Sequence, residues 1–352
     1  MVVYLAAMAV HAVTATVVVA VPLILVLPGR VPTWLRIICA ALVLGIALFV
    51  VPFNRVRTTS RLELRRADAP TLFGLIDEVA RETGAPAIDS VSISADFNAS
   101  YSVRGVRRQR QLGIGMAVWS VLDAQERLAL ITHELGHAVN GDLRNTVVVH
   151  RALVTLSRWR QLFTPTPRDR WESAGHHSPA EGLVGLVEAV VLPVVLFPFA
   201  ALTGAFSAAL DVIANRDGQR REYYADELAA RVAGSTAAIQ LTEMLLLADF
   251  CQESLIRTAR FHRDLDPWQT LRGAVLGVPP TELERLRWNA RQTLGRIDST
   301  HPPTQLRADL LRGRPAREPR IVVSAATAET IERELHAAKK HSIDELRYAL
   351  GT

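Results

Sequence analysis

The chain has 352 residues, enough for one large domain or two ordinary ones with a packed core. Nearly half of it (49%) is apolar and its mean hydropathy is positive, too high for an ordinary soluble protein. The net charge of +5 rests on arginine, since Lys339 and Lys340 are the only lysines, and no interleaving of basic and aromatic residues suits the stacking of bases. No nucleic-acid partner is expected, and an anionic membrane surface is the simpler counterpart.

The apolar excess sits in residues 1–53 and 183–213. Val2 to Leu27 is charge-free over about 26 residues and Leu35 to Phe53 over about 19, each long enough to cross a bilayer core. The first run has no basic leader and is too long for a signal peptide, so the two read as a membrane hairpin over residues 1–54. One arginine lies in the connector Pro28–Thr33. Arg55, Arg57, Arg61, Arg65 and Arg66 follow the second run. The positive-inside rule then places both chain ends of the hairpin, and the domain after it, on the cytoplasmic side of a multi-pass protein of the cell membrane.

Residues 55–145 read as the first half of a polar domain. Pro70 opens a helix with Leu72, Leu75, Ile76 and Val79 on one stripe, ending near Gly84. Val91–Ala95 and Leu112–Trp119 alternate as strands, and the glycines of the second, Gly113 and Gly115, leave one face nearly bare. That strand is a candidate to pair with an extended substrate at a sheet edge, with Gly113 admitting close backbone approach; core packing explains the glycines equally well. Asp123 caps a further helix, with Glu126 in capping-box register and Leu128, Ile131 and Leu135 on its buried face.

That helix carries His133-Glu134-Leu135-Gly136-His137. Residues i and i+4 stand one above the other on a helix, so both imidazoles face a single ion. Glu134 projects about 100° round the axis, free to act as a base on water beside the metal. Catalytic zinc takes three protein ligands. Glu222 offers the third from Glu222-Tyr223-Tyr224-Ala225-Asp226, whose two carboxylates share a helix face. Asp226 is placed to hydrogen-bond the far nitrogen of a ligating histidine. Ala225 and Ala229 are small enough for close helix approach.

Residues 146–214 hold an amphipathic stretch (Thr146–Phe163), a proline-rich loop (Thr164–Ala180) and a third apolar run (Ala189–Leu210). Both halves of the site must lie on one side of the membrane, so the chain between them crosses an even number of times. Three mid-span arginines in Thr146–Phe163 would cost on the order of 8–10 kcal/mol. This stretch is therefore expected as a helix packed beside the third run, which itself is expected to be re-entrant, interfacial or buried. His176-His177 in the loop and the basic cluster Arg104, Arg107, Arg108 and Arg110 read as solvated or headgroup-facing. Residues 215–352 supply the second half of the domain and a charged helical tail.

Taken together, the motifs resemble the superfamily of membrane zinc peptidases that contains HtpX and the CAAX-prenyl endopeptidases, a gluzincin group. The resemblance rests on His133–Asp142, on Glu222 through Asp226, on Ser299-Thr300-His301-Pro302-Pro303 followed by Arg307, and on Asp96-Phe97-Asn98-Ala99. It implies a mainly α fold with a small β-sheet (α+β), a zincin-type domain on transmembrane helices. The implied activity is a Zn2+-dependent endopeptidase acting on polypeptides, including membrane or misfolded proteins. By the same resemblance His301 contacts the oxyanion or the metal site, its alternative being a helix cap before Pro302, and Asn98 precedes the substrate-side strand. The competing function is a membrane signalling or scaffold protein with a structural or vestigial zinc site. An intact Glu134 argues against it, because a structural site has no use for an unligated carboxylate.

Overall fold

The computed structural model describes residues 2–26, 32–51, 62–104, 108–139, 142–164, 192–292 and 302–351. His301, His176, His177, Arg107, Arg55, Arg57 and Arg61 lie outside them, as does the Thr164–Ala180 loop beyond its first residue. In chain order come α1 (Val2–Val26), α2 (Thr33–Val50), β1 (Leu62–Leu64), α3 (Pro70–Thr83), β2 (Ser90–Ser94), β3 (Ala99–Arg104), β4 (Gln109–Gly115), α4 (Met116–Val121) and α5 (Ala124–Val139). There follow α6 (Asp142–Phe163), α7 (Leu192–Ala233), α8 (Ser235–Met244), α9 (Ala248–Phe261), α10 (Pro267–Leu276) and α11 (Pro280–Gln292). The last described helices are α12 (Thr304–Arg312), α13 (Ala325–Glu334) and α14 (His336–Ala349). The chain divides into two compact units, Met1–Val56 with Arg144–Arg216, and Arg57–Leu143 with Asp217–Thr352.

In the first unit, α1 and α2 pack on each other as a helical hairpin. Their outward residues are apolar: Val13 is 62% exposed and Leu42 65%, a surface that water disfavours and lipid accepts. Val149, Ala152 and Leu156 of α6 pack against Val3, Ala7 and Val10 of α1 and Leu210 of α7. The rings of Phe163 and Phe199 lie 5.7 Å apart. Arg158 of α6 donates to the carbonyls of Phe49 (3.0 Å) and Val51 (2.8 Å) at the end of α2, where a helix leaves its last carbonyls without partners. The amphipathic helix therefore lies beside the third apolar run and meets the cost of its arginine at a helix terminus.

From Leu192 on, the third run is not buried: Phe197 is 69% exposed, and the run continues as α7 through Pro198 into the charged stretch that carries Glu222. With α1 and α2, it is one of three described helices long and apolar enough to cross a membrane. Pro198 lies inside α7 without ending it.

The second unit is built on a mixed sheet of order β1-β2-β4-β3. β1 pairs antiparallel with β2, β2 parallel with β4, and β3 antiparallel with β4. Leu72, Phe73, Ile76 and Val79 of α3 and Leu128, Ile131 and Leu135 of α5 share one core with Val91, Ile93, Leu112 and Ile114 of the sheet. Each such side chain contributes roughly 1.5–3 kcal/mol by leaving water. At the start of α5, the Asp123 amide donates to Glu126 and the Glu126 amide to Asp123, both at 2.8 Å, a reciprocal capping box.

Two strand expectations need correction. The strand over Leu112–Trp119 stops at Gly115, and Met116–Val121 turns into α4, every residue of which is buried. A run buried on all sides, with only Ser120 polar, has no clear period to separate strand from helix. Nor is this strand at an edge. β4 is hydrogen-bonded on both sides, and the outer positions belong to β1 and β3. A side chain at Gly113 would meet the Ser100 hydroxyl at 2.5 Å, so that face is filled from within and not offered to a substrate.

Candidate metal centre

α5 is buried along most of its length, and its capped first turn sets the rotation of the histidine face. His133, 7% exposed, and His137, whose side chain is 24% exposed, bring their ring centroids to 5.0 Å at 90°. Glu222 reaches them from α7, with Oε2 3.4 Å from His133 Nε2 and Oε1 3.7 Å from His137 Nε2. One ligand atom from each of the three lies within 4.8 Å of the other two. Two imidazoles and a carboxylate at this spacing fit a divalent cation, and the donor types are those catalytic zinc uses. Glu134 stands beside them, buried, on the same turn.

Close packing makes this convergence possible. A Cβ added at Gly136 would lie 3.0 Å from both the Cα and the Cβ of Ala225. Ala225 and Ala229 are themselves buried. Only a bare backbone on α5 and a methyl on α7 let the helices approach so far.

Behind the ligands lies a buried ionic cluster. Asp226 Oδ1 is 3.0 Å from His133 Nδ1. The guanidinium of Arg307, on α12, donates two hydrogen bonds to the Asp226 carboxylate, at 2.7 and 2.6 Å, and lies 3.3 Å from Glu222. Burial opposes a charged ring at His133, but Asp226 and Glu222 outweigh it and raise its pKa to about 10. Such a pocket attracts positive charge, and a bound cation would take the place of a ring proton there.

Sequence reading named Arg307 only as the residue that follows the His301-Pro302-Pro303 motif and gave it no partner; it shares a helix face with the buried Leu311 four residues on. Asn98 lies in the turn before β3, where its carbonyl accepts from the Gly115 amide at 2.8 Å. A Cβ at Gly115 would fall 2.0 Å from the Asp96 carbonyl, so glycine alone lets that turn close. β3 runs beside α5.

Exposed apolar helices long enough to cross a membrane, and a two-histidine, one-glutamate centre with a free glutamate beside it, define a membrane-anchored metallopeptidase. The family model described as peptidase family M48 matches residues 66–315. The chain belongs to peptidase family M48. It is similar to the protease HtpX homolog of Pyrobaculum aerophilum, 24% identical over 280 residues, which cover 76% of each chain. Its counterpart in Thermococcus sibiricus is 23% identical over 259 residues, 71% of this chain and 75% of the relative. That of Salinibacter ruber is 26% identical over 248 residues, 70% of this chain and 74% of the relative.

Proposed function

We propose that this metalloprotease is a zinc endopeptidase, with zinc on His133, His137 and Glu222 and with Glu134 as the general base. The observation that carries the reading is the convergence of three donors from α5 and α7 within 4.8 Å, with a fourth, unligated carboxylate on the next residue to His133. When bound, zinc supplies Lewis-acid polarisation of the scissile carbonyl and acidifies water. Glu134 takes the proton of the attacking water on a carboxylate oxygen and delivers it to the leaving amine nitrogen. Asp226 holds the His133 ring in its tautomer and orientation, and Arg307 holds Asp226. His301 is carried as an oxyanion or metal-site contact on resemblance alone.

The polypeptide substrate docks as an added strand on the outer edge of β3, the sheet edge beside α5, with Asn98 at its entry. Gly113 supports that edge from within the sheet. Met1–Val56 and Arg144–Arg216 form the membrane part of a multi-pass protein; Arg57–Leu143 and Asp217–Thr352 form the peptidase, facing the cytoplasm. The arginine bias after α2 supports that orientation. Membrane and misfolded polypeptides are the substrate class.

The deciding experiment is Glu134→Gln in purified protein in detergent. The variant should retain about one zinc per chain and lose peptide cleavage. Cleavage at the unsubstituted rate would remove Glu134 from its role.

A further inference from the structure

In the second unit, a cleft of about 990 Å³ opens between α10, α13 and α14, with Arg127 of α5 and Ser120 of α4 at its floor. None of the candidate metal ligands lines it. The floor is a closed network. Arg127 donates to the Trp119 carbonyl at 2.8 Å and to Glu332 at 2.5 Å, and lies over the Trp119 ring at 4.9 Å. Trp119 Nε1 donates to Glu332 at 3.2 Å, and Lys339 pairs with the same carboxylate. Glu332 is thus already neutralised by two cations.

The wall above it is left positive. Arg272, Arg333 and Lys340 line the opening and are exposed. Arg272 makes one long hydrogen bond, 3.4 Å, to the Ser120 carbonyl, and Arg333 donates to Thr330. The remaining lining carboxylates, Asp266, which caps α10 by accepting from the Trp268 amide at 2.8 Å, and Glu329, offset two of these three positive charges and leave one in excess. Burial pulls Arg127 below its ordinary pKa, Glu332 works against this, and the like charge of Arg272 lowers it further. The only two lysines of this arginine-rich chain, Lys339 and Lys340, both line it.

We propose that this cleft binds a phosphate-bearing anion, held between Arg272, Arg333 and Lys340 over the Arg127–Glu332–Lys339 floor. A tetrahedral dianion collects several donors from different directions, which a wall of separated guanidinium and ammonium groups supplies and a single carboxylate does not need. Free phosphate or phosphomonoester and the phosphate of a lipid headgroup offer the same chemistry.

Lysine scarcity provides the assay. Apart from the chain's α-amino group, an amine-selective reagent can modify only Lys339 and Lys340. Full-length protein in detergent is labelled by reductive methylation at fixed ionic strength, and the rate at Lys340 is read by peptide mass spectrometry. The arms are sodium chloride, inorganic phosphate, glycerol phosphate, and vesicles of phosphatidylglycerol or phosphatidylcholine. Several-fold protection by phosphate or glycerol phosphate over chloride supports the site for a soluble ligand. Protection by phosphatidylglycerol vesicles but not phosphatidylcholine, with none from the soluble anions, supports the headgroup. In either case Arg272→Gln and Arg333→Gln, both at exposed positions, should abolish protection while Lys340 remains to report it. Equal labelling in every arm, or protection that survives both substitutions, overturns the proposal.

Discussion

Gly136 and Ala225 meet with no room for a further atom: a Cβ on the glycine would stand 3.0 Å from two carbons of the alanine. The contact joins the helix of the two histidines to the helix of Glu222, so the distance between them sets the distance between ligands. Gly136→Val should push the helices apart and lower stability by about 1–3 kcal/mol, the cost of overpacking a tight contact. Zinc affinity should fall with it, read by competition with a chromogenic chelator. A variant that binds zinc as tightly as the parent would show that this contact does not set the ligand spacing.

Arg307 and Asp226 are each less than a tenth exposed and bonded by two hydrogen bonds. Removing one member of a buried pair leaves an uncompensated charge, at a cost of about 3–5 kcal/mol. Arg307→Ala should therefore destabilise strongly, and Arg307→Ala with Asp226→Asn less than the sum of the two. Thermal or denaturant unfolding of all four proteins measures that coupling. Zinc affinity of Asp226→Asn alone should drop about 10- to 100-fold.

Glu332 ties α13 to Arg127 and Lys339. Burial pushes its carboxyl up, but Lys339 and Arg127 more than offset this and hold it below the ordinary glutamate value. A depressed acid contributes stability that is present above the unfolded pKa, about 4.3, and lost as pH falls through the folded one. The unfolding midpoint should thus decline below about pH 4.3, and Glu332→Gln should start lower at neutral pH and decline less. Melting curves from pH 7 to pH 3 compare the two.

Chelation offers a separate check on the centre. A ligand present at a thousandfold over its dissociation constant adds about 4 kcal/mol to stability. Stripping zinc should abolish cleavage and lower the unfolding midpoint, and both should return on adding zinc back. Recovery of the midpoint without activity would favour a purely structural site.

Much of this was legible in the sequence because it is local. His133 and His137 are one helical turn apart, and Asp123 and Glu126 cap the same helix, so spacing alone brings each pair together. Glu222 was reachable through ligand number, since two imidazoles leave a catalytic ion short. What was hidden is tertiary. Nothing in the alternation of Leu112 to Gly115 says that β4 would be enclosed by β2 and β3. Met116–Val121, buried on every side, carries no period to separate strand from helix, and the exposure of the third run within α7 is likewise a matter of what packs around it. Arg307 needed its partner in view, because a buried arginine is recognised by what neutralises it.

An ion held by His133, His137 and Glu222 would also work as a cross-link. It would fasten two stretches far apart in the chain, closing a long loop that the unfolded polypeptide otherwise explores freely. Newly made chains that have not acquired the metal would then be both inactive and loosely tied, and so the first to be degraded. Metal supply would set how much of this protease persists as well as how fast it cuts.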